Sequence, residues 1–176
     1  MLHTVNICNY KNKYFDNKNR LPGEHHFVAI YLLSKFNRIP DYINPDGTKG
    51  ICGDIVFENK EKTFSIEVKI GKTSFSFSKN ETNSWFINKK PPFPNYLIAL
   101  TKNYLFIIKW KKFSDTFIGL KEPKRIESKS GNSKKISEKE LLMTCNKEAF
   151  KIEPKGEEKI NDKFKILNAE IEKVFK

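Results

Sequence analysis

The sequence predicts an α/β domain with a mixed central sheet flanked by helices, and three observations carry this. YLIAL (96–100) and YLFIIKW (104–110) are near-continuous apolar runs, as expected of strands covered on both faces. GDIVF (53–57) and TFSIEVKI (63–70) are rich in β-branched and aromatic residues and are separated by polar ENKEK. Helical periodicity brackets these segments. Phe27, Val28, Ile30, Tyr31, Leu32, Leu33 and Phe36 precede them, and Ile160, Phe164, Leu167, Ile171 and Val174, three or four apart, follow.

Taken in order, residues 1–20 are polar and rich in Asn and Lys, and read as an N-terminal arm. A mostly buried helix is expected over 22–37, with Pro22 suited to its first position and Glu24 to its first turn. NPDGTKG (44–50) is a loop by its Pro and Gly content. The strands at 53–57 and 63–70 form a hairpin. SKNETNSWF (78–86) reads as a short helix opened by a capping box, Ser78 with Glu81. PPFP (91–94) ends it, and TKN makes a tight turn between the next two strands.

Residues 121–135 read as a charged loop. SEKELLMTC begins with a second capping box, Ser137 with Glu140, and EEKINDKFKILNAEIEKVFK is an amphipathic helix. The organisation expected is an arm (1–20), a core (21–120), and a charged loop with a helical C-terminal extension (121–176) packed on the same domain. The C-terminal helix is expected to pack on its own core, with a homodimer interface as the alternative.

A chain of 176 residues can bury a core without disulfides or a structural metal. Its 15 Phe, 6 Tyr and 2 Trp argue against disorder. The net charge of +12 favours a polyanionic partner, although lysine is frequent throughout. Cys8, Cys52 and Cys145 are odd in number and widely spaced, with no CxxC pair, which argues against a zinc or redox motif. No apolar run has the length of a signal peptide or a transmembrane helix, so a cytoplasmic protein without a membrane partner is expected.

The chemistry lies in Gly53-Asp54 and in Ile66-Glu67-Val68-Lys69. Positions i and i+2 of a strand share a face, so Glu67 and Lys69 point one way and Val68 the other. Asp54, on the partner strand, can approach Glu67. Two neighbouring carboxylates repel unless a cation lies between them. Mg²⁺ typically takes one or two carboxylates with waters and substrate phosphate, and the Val68 main-chain carbonyl offers a further oxygen. Such a site activates water toward a phosphodiester, and Lys69 is suited to hold that water or to stabilise negative charge.

This pattern resembles the PD-(D/E)XK nuclease superfamily, which includes Holliday junction resolvases and many restriction endonucleases. The matching residues are Asp54 and Glu67-Val68-Lys69, with Glu24 in the place where many members carry a helix glutamate. The resemblance spans about residues 22–110. It implies a restriction-endonuclease-like αβββαβ core. It also implies a Mg²⁺-dependent DNA endonuclease, with Mn²⁺ as a substitute, acting on double-stranded or branched DNA in defence or in recombination and repair. A junction resolvase is the narrower alternative. A non-catalytic nucleic-acid-binding module is the alternative of another class.

Several residues carry competing readings. His25 and His26 are adjacent, and neighbours on a helix point about 100° apart, so they suit a surface position or phosphate contact better than one metal ion. Asp46 stands in a literal Pro-Asp pair but lies too far before Asp54 to replace it comfortably. Glu58 and Glu61 read as hairpin-tip solvation. Lys72, Ser74, Ser76 and Lys79 alternate with Phe75 and Phe77, which fits either a buried-face edge strand or a phosphate-tracking edge. Trp85 and Trp110 read as core or cleft wall.

Overall fold

The computed structural model describes residues 26–43, 53–119 and 134–176. Helix α1 (His26–Phe36) is followed by a two-residue strand β1 (Tyr42–Ile43) and the hairpin of β2 (Ile55–Glu58) and β3 (Thr63–Ile70). Strand β4 (Ser74–Phe77) leads into the short helix α2 (Lys79–Glu81), which continues as a wider π-type turn over Thr82–Ile87. Strands β5 (Tyr96–Leu100) and β6 (Tyr104–Lys109) come next, then α3 (Trp110–Gly119). After β7 (Lys134–Ser137), α4 (Glu138–Thr144) and β8 (Ala149–Lys151), the chain ends in α5 (Glu157–Phe175). The expected N-terminal arm, the start of the first helix, the 44–50 loop and residues 121–133 lie outside the described residues.

The architecture is α/β. The six-stranded sheet runs β1-β2-β3-β5-β6-β8 and is mixed, because β3 and β5 are parallel while its other pairs are antiparallel. Alternation along each strand supplies two cores. Tyr96, Ile98 and Leu100 face one side with Ile66 and Val68, beneath α1 and α5. Leu97, Ala99, Phe106 and Ile108 face the other, beneath α3, α4 and the two-stranded sheet of β4 and β7. The near-continuous apolar runs are therefore doubly covered, as the sequence predicts.

The stripe on α5 is consumed within the chain. Ile160, Phe164, Leu167 and Ile171 are buried, and the Phe164 ring stacks on Tyr31 of α1 at 4.3 Å. Arg38, just past α1, donates to Asn168 (3.0 Å) and pairs with Glu172 (2.8 Å), which fixes the crossing of the two helices. Both capping boxes form: Ser78 with Glu81, and Ser137 with Glu140. Asn59 closes the β2–β3 turn by accepting from the backbone N–H groups of Glu61 and Lys62.

Three boundaries differ from expectation. Trp110 begins α3 instead of ending β6, and its buried ring joins Phe113 one turn on. Lys134 and Lys135 belong to a strand and not to the charged loop, because they pair with Phe77 and Ser76 of β4. The C-terminal region is not only helical, since β8 extends the central sheet beside β6.

Candidate active site at the end of the β2–β3 pairing

The geometry starts at Gly53. Its φ of +100° is one that L side chains rarely adopt, and a Cβ there would lie 3.1 Å from the Ile66 carbonyl oxygen and from the Ser65 Cβ. Glycine lets the chain pass this close to β3 as it turns into β2. Asp54 follows, just before the strand begins and not within it. Its backbone N–H donates to the Ile66 carbonyl (2.8 Å), and its carboxylate Oδ2 accepts from the Val68 N–H (2.8 Å). The Asp54 side chain thus takes the place where β2 no longer pairs with β3.

That bond fixes an orientation. The N–H and C=O of one strand residue project from the same edge. The Val68 carbonyl therefore lies on the Asp54 edge, like the Ile66 carbonyl two residues before it. The Val68 side chain is fully buried under α1 and α5, and Glu67 and Lys69 take the opposite face.

On that face, the Lys69 ammonium meets Glu67 Oε1 at 2.7 Å and Glu81 at 2.9 and 3.1 Å, and it lies 4.8 Å from the centre of the Phe77 ring. Glu81 also accepts from the Ser78 N–H (2.6 Å) as part of its capping box. It is the acid that sequence reasoning treated as a cap alone. No local pattern marks it, because β4 intervenes between Lys69 and α2. The cluster is more enclosed than an open face: Glu67 is 3% exposed and the Lys69 side chain 13%.

Burial sets the electrostatics. It pushes the Glu67 carboxyl well above its usual range, and the Asp54 charge pushes it further, against the opposing pull of Lys69. The 2.7 Å contact looks like a simple ion pair, but the direction of this shift shows that Lys69 alone does not compensate Glu67. Burial would lower the Lys69 ammonium, yet Glu67 and Glu81 outweigh it and hold the group above its ordinary value. Burial would raise Glu81, but Lys69 outweighs that and leaves it low. Three carboxyl groups thus crowd one ammonium, an arrangement that suits a divalent cation.

The donors with the chemistry for a hard cation are the Asp54 and Glu67 carboxylates and the Val68 carbonyl, a set that suits Mg²⁺ completed by waters and a phosphate. Among the described residues, no three His, Cys, Asp or Glu side chains form a ready metal-ligand group.

Of the other candidates, Glu24, His25 and Asp46 lie outside the described residues. His26 opens α1. Lys72, Ser76 and Lys79 are exposed, Ser74 is half-buried, and β7 pairs with one side of β4 from Ser74 to Phe77. Phe75 and Phe77 are buried beneath it. Trp110 is core, and Trp85, half-buried, packs on it at 5.1 Å. Among the described residues, no helix is long and apolar enough to cross a membrane. The chain matches no protein-family model, no curated protein and no solved structure at a significant level.

Proposed function

We propose that this chain is a Mg²⁺-dependent nuclease of the PD-(D/E)XK type, hydrolysing phosphodiester bonds in DNA. The observation that carries the reading is the convergence of Asp54, Glu67 and Lys69 where the pairing of β2 with β3 ends, with Val68 turned into the core. The order α1, β1, β2, β3, β4, α2, β5 also supports it: with β4 set apart in the two-stranded sheet and β5 parallel to β3, the remaining elements follow the αβββαβ order that the motif implies.

In this reading Asp54 and Glu67 hold the cation, with the Val68 carbonyl. When bound there, it supplies a water of lowered pKa and neutralises charge on the scissile phosphate. The chain supplies the positioning. The Val68 N–H fixes the Asp54 carboxylate, and Phe77 and Glu81 fix the Lys69 ammonium. Lys69 then presents an ammonium to the attacking water and to the charge that builds on the phosphate. Glu81 keeps that ammonium oriented whenever Glu67 is engaged elsewhere. The helix glutamate Glu24 retains its proposed role as a further acid at the site.

The test is incubation of purified protein with supercoiled plasmid, linear duplex, single strand and a four-way junction, each in Mg²⁺, Mn²⁺ or EDTA. Cleavage that requires the metal supports the reading. Preference for the junction would narrow it to a resolvase. Salt-sensitive binding without cleavage of any substrate would replace it with a non-catalytic nucleic-acid-binding module.

A further inference from the structure

Two clefts open at the far end of the sheet and share Asn95 and Lys111 in their walls. One, of about 710 Å³, lies between the start of β3 and α5 and is lined by Lys62, Lys109 and Lys173. The other, of about 610 Å³, is lined by Trp85, Phe93, Trp110 and Lys89. They meet at these two shared residues, and we treat them as one groove, with lysines in both parts and the two tryptophans in one.

Its acids are already engaged. Glu170 pairs with Lys109 (2.8 Å) and accepts from the Tyr96 hydroxyl (2.7 Å), and Asp115 pairs with Lys111 (2.8 Å). Among the described residues, Lys62, Lys89 and Lys173 have no carboxylate within ion-pair distance, and all three are exposed. The groove therefore carries uncompensated positive charge.

Its floor is rigid. Asn95 exchanges bonds with Ser65 of β3, giving its backbone N–H to the Ser65 carbonyl (2.8 Å) and taking the Ser65 N–H on its side chain (2.8 Å). Its carbonyl accepts from the first residue of α3, Trp110 (2.9 Å). Of the rings, Phe93 is 39% exposed, and Trp85 is half-buried against Trp110. Fixed, partly open rings beside spaced ammonium groups suit unstacked bases joined by phosphates. A duplex keeps its bases stacked and cannot offer them to a ring.

We propose that this groove binds single-stranded nucleic acid, with phosphates along Lys62, Lys111 and Lys173 and a base against Trp85 and Phe93. The occupant rests on the nucleic-acid reading above, but not on its chemistry. Lys69 pairs with Ala99, four residues along β5 from Asn95, so the groove lies about 13 Å from the site along the sheet.

Trp85 and Trp110 are the only two tryptophans in the chain, and both line this groove, so intrinsic fluorescence reports on it directly. Titration with oligothymidylate in EDTA removes cleavage from the measurement. Quenching is expected, with affinity falling with salt at a log–log slope of about −0.7 per phosphate contacted. Trp85→Ala should weaken binding about 10-fold, the size of one lost base stack. Because Trp85 also packs internally, the exposed variants Lys62→Ala and Lys173→Ala provide an independent reading, each expected to weaken binding and flatten the salt slope. Lys147→Ala, at an exposed position that lines neither cleft, should bind as the parent does.

A duplex of equal length that quenches as strongly would overturn the proposal. So would Lys62→Ala and Lys173→Ala variants of unchanged affinity, a Lys147→Ala variant that loses binding, or polyglutamate binding as tightly as oligothymidylate. Binding without cleavage of any DNA would leave the groove standing and remove the nuclease.

Discussion

Gly53→Ala tests how the backbone builds the site. At φ +100° a side chain costs about 1–3 kcal/mol in backbone strain alone. The new Cβ would also press on the Ile66 carbonyl oxygen and the Ser65 Cβ, both at 3.1 Å. These belong to β3, which is paired on both sides and cannot retreat. The chain at 53–54 gives way instead. That strains the 2.8 Å bond from the Asp54 N–H to Ile66 and displaces the Asp54 carboxylate from the Val68 N–H. A loss of about 2 kcal/mol is expected in urea denaturation, equivalent to roughly 4–8 °C in melting temperature for a chain of this size.

Function should fall further than stability. An ångström of misplacement can cost about 10²-fold in a positioned reaction. Single-turnover cleavage by the folded variant should therefore drop by about that factor, and calorimetric Mg²⁺ affinity should weaken with it. The double variant with Asp54→Asn should show little additional loss, because both changes act through one carboxylate. A Gly53→Ala protein with parental urea midpoint and parental cleavage would refute the reasoning. So would a double variant in which the two losses simply add.

Glu67→Gln should stabilise the metal-free protein at pH 8 while abolishing cleavage. The folded-state pKa of Glu67 is raised, so its stabilising contribution is complete below the unfolded value of about 4.3 and is lost as pH rises through the folded value. The variant should be the more stable protein at pH 8, with the gap closing toward pH 4 in thermal melts. A variant less stable at pH 8 would contradict this electrostatic account. Mg²⁺ should raise the melting temperature of the parent but not of Asp54→Asn, since a ligand stabilises only the state that binds it. Phe164→Ala should cost about 3–5 kcal/mol in urea without changing Mg²⁺ affinity, because its ring is wholly buried between α1 and the sheet.

What could be read from the sequence was what local pattern determines. The β2–β3 hairpin, the doubly covered β5 and β6, both capping boxes and the α5 stripe follow from alternation, periodicity and short-range polar spacing. The face shared by Glu67 and Lys69 follows from strand alternation in the same way. What escaped depends on distant partners. β7 carries one buried apolar residue, Ile136, and exists because β4 lies beside it. β1 and β8 are too short for a pattern to form. Trp110 could extend a strand by local preference, and only the core around Phe77 and Phe113 decides that it starts a helix. Glu81 belongs to the cluster through the path of β4, which spacing from Lys69 does not encode.

The central claim is that Lys69 acts in the chemical step and Asp54 in holding the cation. Single-turnover cleavage of plasmid, run beside a calorimetric Mg²⁺ titration of the same proteins, tests it most directly. Lys69→Ala should lose about 10²–10⁴-fold in cleavage with Mg²⁺ binding near that of the parent. Asp54→Asn should lose both together, and Glu61→Gln, at the exposed hairpin turn, should lose neither. Cleavage by Lys69→Ala at the parental rate, or damage in Glu61→Gln equal to that in Asp54→Asn, would contradict the account.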